Sequence, residues 1–174
     1  MNFDEGMAKA IACKEAGTGF LKAGDFQKAS FQYHLVYMHV GAFLGKGEDQ
    51  ISAMTMQKKG PQANEAQKAS VVAILIASYN NLVLCQLNLG KLSRCVELSQ
   101  KVLDLDPGNS KVRLRRCMAR TRMGDIDGAT EDLAFLTEKD PGLLEGLSLG
   151  ADIEKGKAAI KEKEKIMFKG MSFS

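Results

Sequence analysis

The sequence predicts an all-α chain of stacked helical hairpins, and three observations predict it. One pattern is written twice, thirty-four residues apart, with Gly90 answered by Gly124 and Asp106-Pro107 by Asp140-Pro141. Each copy holds two apolar-periodic segments, divided by that Gly and closed by that Asp-Pro. This is the punctuation of two short helices, because Pro has no N–H to continue a ladder and restricts the residue before it. The composition agrees, with 45% hydrophobic residues, no Trp and three Pro in 174 residues. A unit of this length cannot bury its apolar face alone, so the copies must stack.

Taken in order, the first helix runs from about Asp4 to Ala23, its acidic first turn suiting the positive end of the helix dipole, and Gly24 ends it. The second carries Phe26, Ala29, Phe31, Tyr33, Val36, Tyr37 and Val40, an aromatic stripe read as core packing. His34 and His39 stand five apart, not at the four-residue spacing that pairs metal ligands. Gly41, Gly45, Gly47 and the run Lys58-Lys59-Gly60-Pro61-Gln62 mark a loop, with at most a helical turn over Glu48 to Met56.

Asn64 then caps Glu65-Ala66-Gln67-Lys68-Ala69, which continues through Val71 to Leu89 without a breaker. Leu82, Leu84, Leu87 and Leu89 make this helix apolar, and Leu92, Val96, Leu98, Val102, Leu103 and Leu105 make the next one amphipathic. After Pro141, the stretch Gly142 to Gly150 is loosely patterned. Asp152 to Met171 is a lysine-rich helix, whose Ile153, Ala158, Ile160, Ile166, Met167 and Phe168 form an apolar side expected to cover the open end of the last hairpin. A basic helix of this kind also suits a client protein, calmodulin or an acidic membrane, but Glu154, Glu162 and Glu164 dilute its charge.

Several function classes are excluded. A formal charge of +3 is too small to imply nucleic acid. No apolar run approaches about 18 residues, so no membrane span is expected. The acidic start Met1-Asn2-Phe3-Asp4-Glu5 lacks the pattern of a secretory signal. Cys13, Cys85, Cys95 and Cys117 share no C-x-x-C spacing, so they read as free thiols in a reducing compartment, cytoplasmic or nuclear. No catalytic motif is present and the Asp and Glu residues read as solvated or at helix ends, so the chain is expected to be no enzyme and to need no cofactor or metal.

Counting Ile76 and Ser110 as first positions, Gly90, Cys95 and Pro107 match Gly124, Ala129 and Pro141. A further copy from Ala10 holds Gly17, Phe20, Gly24-Asp25-Phe26 and Ala29, with Gly41 where its Pro would stand. These residues resemble the tetratricopeptide repeat. The resemblance implies three repeats within 1–142, at about 10–43, 76–109 and 110–143, with an insertion and helix extension at about 44–75 and a C-terminal helix over 143–174. Val83 and Cys117 are larger than the family's usual small residue at position 8, which predicts a slightly wider contact between the two helices of the hairpin. The long insertion and the helix start Glu65-Ala66-Gln67-Lys68-Ala69 are similar to those of the large immunophilins, and tetratricopeptide repeat protein nine shares the long insertion. The ending Lys163-Glu164-Lys165-Ile166-Met167-Phe168-Lys169-Gly170-Met171 resembles the last helix of immunophilins and aryl-hydrocarbon-receptor-interacting proteins. In immunophilins and aryl-hydrocarbon-receptor-interacting proteins that helix contributes to partner contacts.

The first helix of each repeat lines the inner wall of such a stack, so polar residues there have no core reason and can face a ligand. They are Lys14 and Thr18, then Asn81, then Lys111 and Arg115. The set is similar to the carboxylate clamp of chaperone-binding repeats, which holds the C-terminal Glu-Glu-Val-Asp tail of heat-shock protein 90 or 70. Two carboxylates a few ångströms apart need fixed cations and amide donors around them. Thr18 departs from the family's Asn and offers one donor at a different reach, which weakens the clamp without abolishing it.

The sequence therefore reads as a non-enzymatic adaptor. A scaffold binding an internal peptide or helix in the same groove is the alternative, as is the repeat part of a larger peptidyl-prolyl isomerase. No isomerase domain is expected ahead of the first helix. A stand-alone protein and a piece of a larger co-chaperone both fit.

Overall fold

The computed structural model describes residues 2–44 and 63–171. The turn expected at Glu48 to Met56 and the run Lys58 to Gln62 lie outside the described residues. Seven α-helices are described: α1 (Phe3–Lys22), α2 (Phe26–Val40), α3 (Glu65–Asn88), α4 (Leu92–Leu105), α5 (Ser110–Met123), α6 (Ile126–Lys139) and α7 (Leu149–Met171), and no strand occurs among the described residues. The chain divides into two compact units, 1–90 and 91–174. Glycine in the left-handed region turns the chain at Gly24, Gly90 and Gly124 (φ 77°, 69° and 81°), a conformation that side-chain-bearing residues resist.

In the first unit, α1 opens with a capping box in which Asn2 Oδ1 accepts from Glu5 N at 2.8 Å and Glu5 Oε2 accepts from Asn2 N at 3.2 Å. Asn64 and Gln67 repeat the device at the start of α3. Helix α2 packs against both α1 and α3. Ala10, Val36, Val40, Phe43, Val71, Ile74 and Leu75 form the core, and Phe3 sets its ring edge-on to Phe43 at 5.3 Å.

Two expectations about α2 are corrected. Ala29, Tyr33, Val36 and Val40 are buried, but Phe31 is 61% and Tyr37 40% exposed. The buried four recur at the helical period on one stripe; Phe31 falls on the opposite side and Tyr37 on the margin. The loop expected from Gly41 begins as a 3-10 turn over Gly41–Leu44, which delivers Phe43 into the core. Helix α3 also revises the membrane expectation. It is the one described helix long and apolar enough to cross a bilayer, with a window of mean hydropathy 1.6, half of it buried within the fold as in a core helix.

In the second unit, α5 packs on α4 and α6. Cys117, Ile126, Ala129, Leu149 and Ile153 form a core, with the Cys117 thiol donating to the Ala129 carbonyl at 3.2 Å. Asp125 caps α6 by accepting from Gly128 N at 3.1 Å, whereas Lys91 at the same place on α4 makes no side-chain cap. Helix α7 covers this core with its first turns only: Leu149 and Ile153 are buried and Gly156 lies flush against Ile126, while Ala158, Ile160, Ile166, Met167 and Phe168 are exposed. The apolar side expected along the whole helix is thus engaged at one end. Past Gly156 none of its residues through 169 is buried.

Candidate functional site

Lys14 and Thr18 stand one turn apart on α1, both half-buried. Beneath them the ring of Tyr33, from α2, is fully buried, and Gly17 makes room for it: a Cβ added there would lie 2.9 Å from Tyr33 Cε1. The Tyr33 hydroxyl meets Thr18 Oγ1 at 3.2 Å and accepts from Asn81 Nδ2, on α3, at 3.1 Å. Thr18 Oγ1 also lies 2.9 Å from the Lys14 carbonyl. Within the first unit, then, Thr18 and Asn81 converge on one phenol, with Lys14 bonded through its main chain. A Tyr in an apolar stripe, where Phe would pack equally well, is the sequence signal that a hydroxyl needs a partner. The stripe was legible; the polar contact at its end was not.

In the second unit, Lys111 is exposed and Arg115 half-buried, four residues apart and hence on one face of α5. Other cations of α5 turn toward α6. Asp132 is fully buried there; Arg116 Nη2 reaches its Oδ1 at 2.6 Å and Nε its Oδ2 at 2.9 Å, the two-pronged geometry of a strong charge-assisted pair. Arg120 adds a contact at 3.0 Å and Arg113 one at 3.3 Å, with the Arg113 guanidinium 3.8 Å above the Phe135 ring. Arg116 also donates to Gln100 at 2.6 Å.

Two readings are corrected here. Acidic residues are not confined to solvated faces, since Asp132 sits in the interior. Cations on the first helix of a pair do have a core reason, since Arg113, Arg116 and Arg120 serve that carboxylate. The available signal was Asp132 itself, placed on the same helical face as Ala129, Leu133 and Leu136.

The four cysteines are free thiols. Burial pushes Cys95 and Cys117 up to about 11 and raises Cys13 as well, so these groups stay protonated and poorly nucleophilic near neutrality. No cluster of three metal-ligating side chains occurs among the described residues.

No family model matches the chain. Over 141 residues it is 31% identical to the peptidyl-prolyl cis-trans isomerase FKBP4 of Rattus norvegicus, a match covering 81% of this chain and 27% of that protein, in its repeat region and outside its isomerase domain. The chain thus spans about a quarter of the length of the FKBP4 relatives it matches. The C-terminal TPR-containing domain of a Plasmodium falciparum FK506-binding protein superposes with a TM-score of 0.69 at 21% identity, over 95% of this chain and 97% of that one. The Hsp90 co-chaperone Cns1 of Saccharomyces cerevisiae superposes with a TM-score of 0.65 at 22% identity, over 97% of this chain and 45% of that one. Paired helices turned on left-handed glycines, together with these likenesses, give the chain the all-α fold of tetratricopeptide-repeat domains, and its sequence is similar to the repeat region of FKBP4.

Proposed function

We propose that this chain is a non-enzymatic adaptor that binds the C-terminal Glu-Glu-Val-Asp tail of heat-shock protein 90 or 70. Lys14, Asn81, Lys111 and Arg115 are the direct contacts, and Thr18 stands in the place of a fifth. The observation that supports the reading is the sequence spacing of cations and amide on the first helix of each pair, α1, α3 and α5, which is similar to the clamp pattern except at Thr18. The likeness to an Hsp90 co-chaperone supports it.

The chemistry follows from the ligand. A terminal carboxylate and an Asp carboxylate are acceptors only, so lysine, arginine and amide N–H groups match them. The same reading divides the chain into three repeats at about 10–43, 76–109 and 110–143 with a C-terminal helix that is free to contact a client. The same proposal includes a reducing compartment, cytoplasmic or nuclear, in which free thiols persist.

Calorimetric titration with a peptide ending Glu-Glu-Val-Asp tests the proposal. Binding is expected with the free terminal carboxylate, weakening as salt rises. Equal affinity for the C-terminally amidated peptide would sink the clamp in favour of a groove that reads internal segments.

A further inference from the structure

The Tyr33 hydroxyl lies in a side chain with no exposed surface, so its proton must go to a protein acceptor and its lone pairs to protein donors. Thr18 Oγ1 and Asn81 Nδ2 are the two side-chain groups observed within reach, at 3.2 and 3.1 Å. The direction of each bond follows from the far end. The Lys14 carbonyl can only accept, so Thr18 gives its proton there, across 2.9 Å. Tyr33 then donates to Thr18 Oγ1, and Asn81 donates one amide N–H to the Tyr33 oxygen. The chain of donation runs Asn81 to Tyr33 to Thr18 to the Lys14 carbonyl, and it is closed at both ends.

Two consequences follow. Asn81 has its amide orientation set by one N–H, and its second N–H has no partner among the observed bonds. Thr18 has spent its single donor on its own helix. A phenylalanine would fill the space against Gly17 but would leave the Asn81 amide free to rotate about its terminal torsion.

We propose that Tyr33 is a positioning residue of the tail site, its buried hydroxyl holding the Asn81 amide so that the second N–H is presented to a ligand carboxylate, with Thr18 serving the relay and not the ligand. This rests on the tail-binding reading above. It assigns Thr18 a different task from the one its sequence position implies.

The test is calorimetry on the full 174-residue chain with a peptide ending Glu-Glu-Val-Asp. Tyr33→Phe is expected to weaken binding about three- to tenfold, the worth of one net hydrogen bond. In the Asn81→Ala background the same change is expected to cost nothing further, because the phenol acts through that amide; a general loosening of the fold would cost the same in both. Thr18→Val, which keeps the shape and removes the acceptor, is expected to weaken binding in the same direction. In the 1H–15N spectrum the Asn81 side-chain amide signals should shift in Tyr33→Phe and move on titration of the wild-type chain. Wild-type affinity in Tyr33→Phe, while Lys111→Ala and Arg115→Ala are weakened, overturns the positioning role and leaves the tail reading standing. Equal losses with and without Asn81→Ala also overturn it. No binding of the free-carboxylate peptide by the wild-type chain overturns both.

Discussion

Asp132 holds Arg116 by two prongs, at 2.6 and 2.9 Å, in a place where the carboxylate has no exposed surface. With Arg113 and Arg120 also drawn to it, one negative charge organises three cations between α5 and α6. Removing one partner of a buried pair leaves the others desolvated and uncompensated. Asp132→Ala is therefore expected to lower unfolding stability by about 3–5 kcal/mol. Urea denaturation measures it; a loss under about 1 kcal/mol would mean that water or the backbone already satisfies those guanidiniums.

Two glycines of α1 are expected to answer the same substitution with opposite signs. A Cβ at Gly17 would lie 2.9 Å from the Tyr33 ring, and one at Gly19 would meet nothing within 4 Å. Gly17→Ala should destabilise by about 1–3 kcal/mol through overpacking and carry the Tyr33 hydroxyl away from its partners. Gly19→Ala should stabilise by about 0.5–1 kcal/mol, the helical cost of glycine recovered. Thermal melts of the two variants decide it, and equal shifts would show that α1 moves freely enough to absorb the methyl.

The helices were legible because apolar period and punctuation agree: Gly24, Gly90 and Gly124 turn the chain where expected, and Asn64 caps α3. What was hidden depends on which side of a helix a neighbour occupies. Phe31 and Val36 are both apolar residues of α2, but only contact with α1 and α3 decides that one is exposed and the other buried. Among the candidate site residues, the types and spacing were readable. The diversion of Thr18 into a bond with its own backbone was not, because a hydroxyl's partner is set by three dimensions.

Lys111→Ala and Arg115→Ala are each expected to weaken tail binding roughly 10- to 150-fold, one charge-assisted hydrogen bond, with helical content unchanged by circular dichroism. Thr18→Asn is expected to tighten binding. An amide there accepts from Tyr33 through its oxygen and still has N–H groups for the ligand, which the threonine hydroxyl cannot do at once. Calorimetry checks all three, and an unchanged affinity for Lys111→Ala and Arg115→Ala would remove α5 from the site.

Lys91 precedes α4 with φ −82° and ψ 65°, close to the −83° and 74° of Asp25 before α2 and the −78° and 75° of Asp125 before α6. Both aspartates accept a backbone N–H from inside their helix, and the lysine accepts none. The backbone is thus ready for a cap that the side chain does not supply. Lys91→Asp is expected to stabilise by about 0.5–2 kcal/mol, read as a raised urea midpoint with the slope unchanged. A neutral result would show that the first N–H groups of α4 are already met by solvent at no cost.

Helix α7 makes two predictions with one residue type. Ile153 is fully buried beside Cys117, Ile126 and Ala129, whereas Ile166, farther along the same helix, is 63% exposed. Truncating a buried isoleucine removes its transfer energy and leaves a cavity, so Ile153→Ala should cost about 2–5 kcal/mol. Ile166→Ala should fall within about 0.5 kcal/mol of the parent, as surface changes do. Urea melts of the two variants compare them directly. Comparable losses would mean that the far half of α7 is packed in solution, and the expectation that its whole apolar side covers the last hairpin would then be restored.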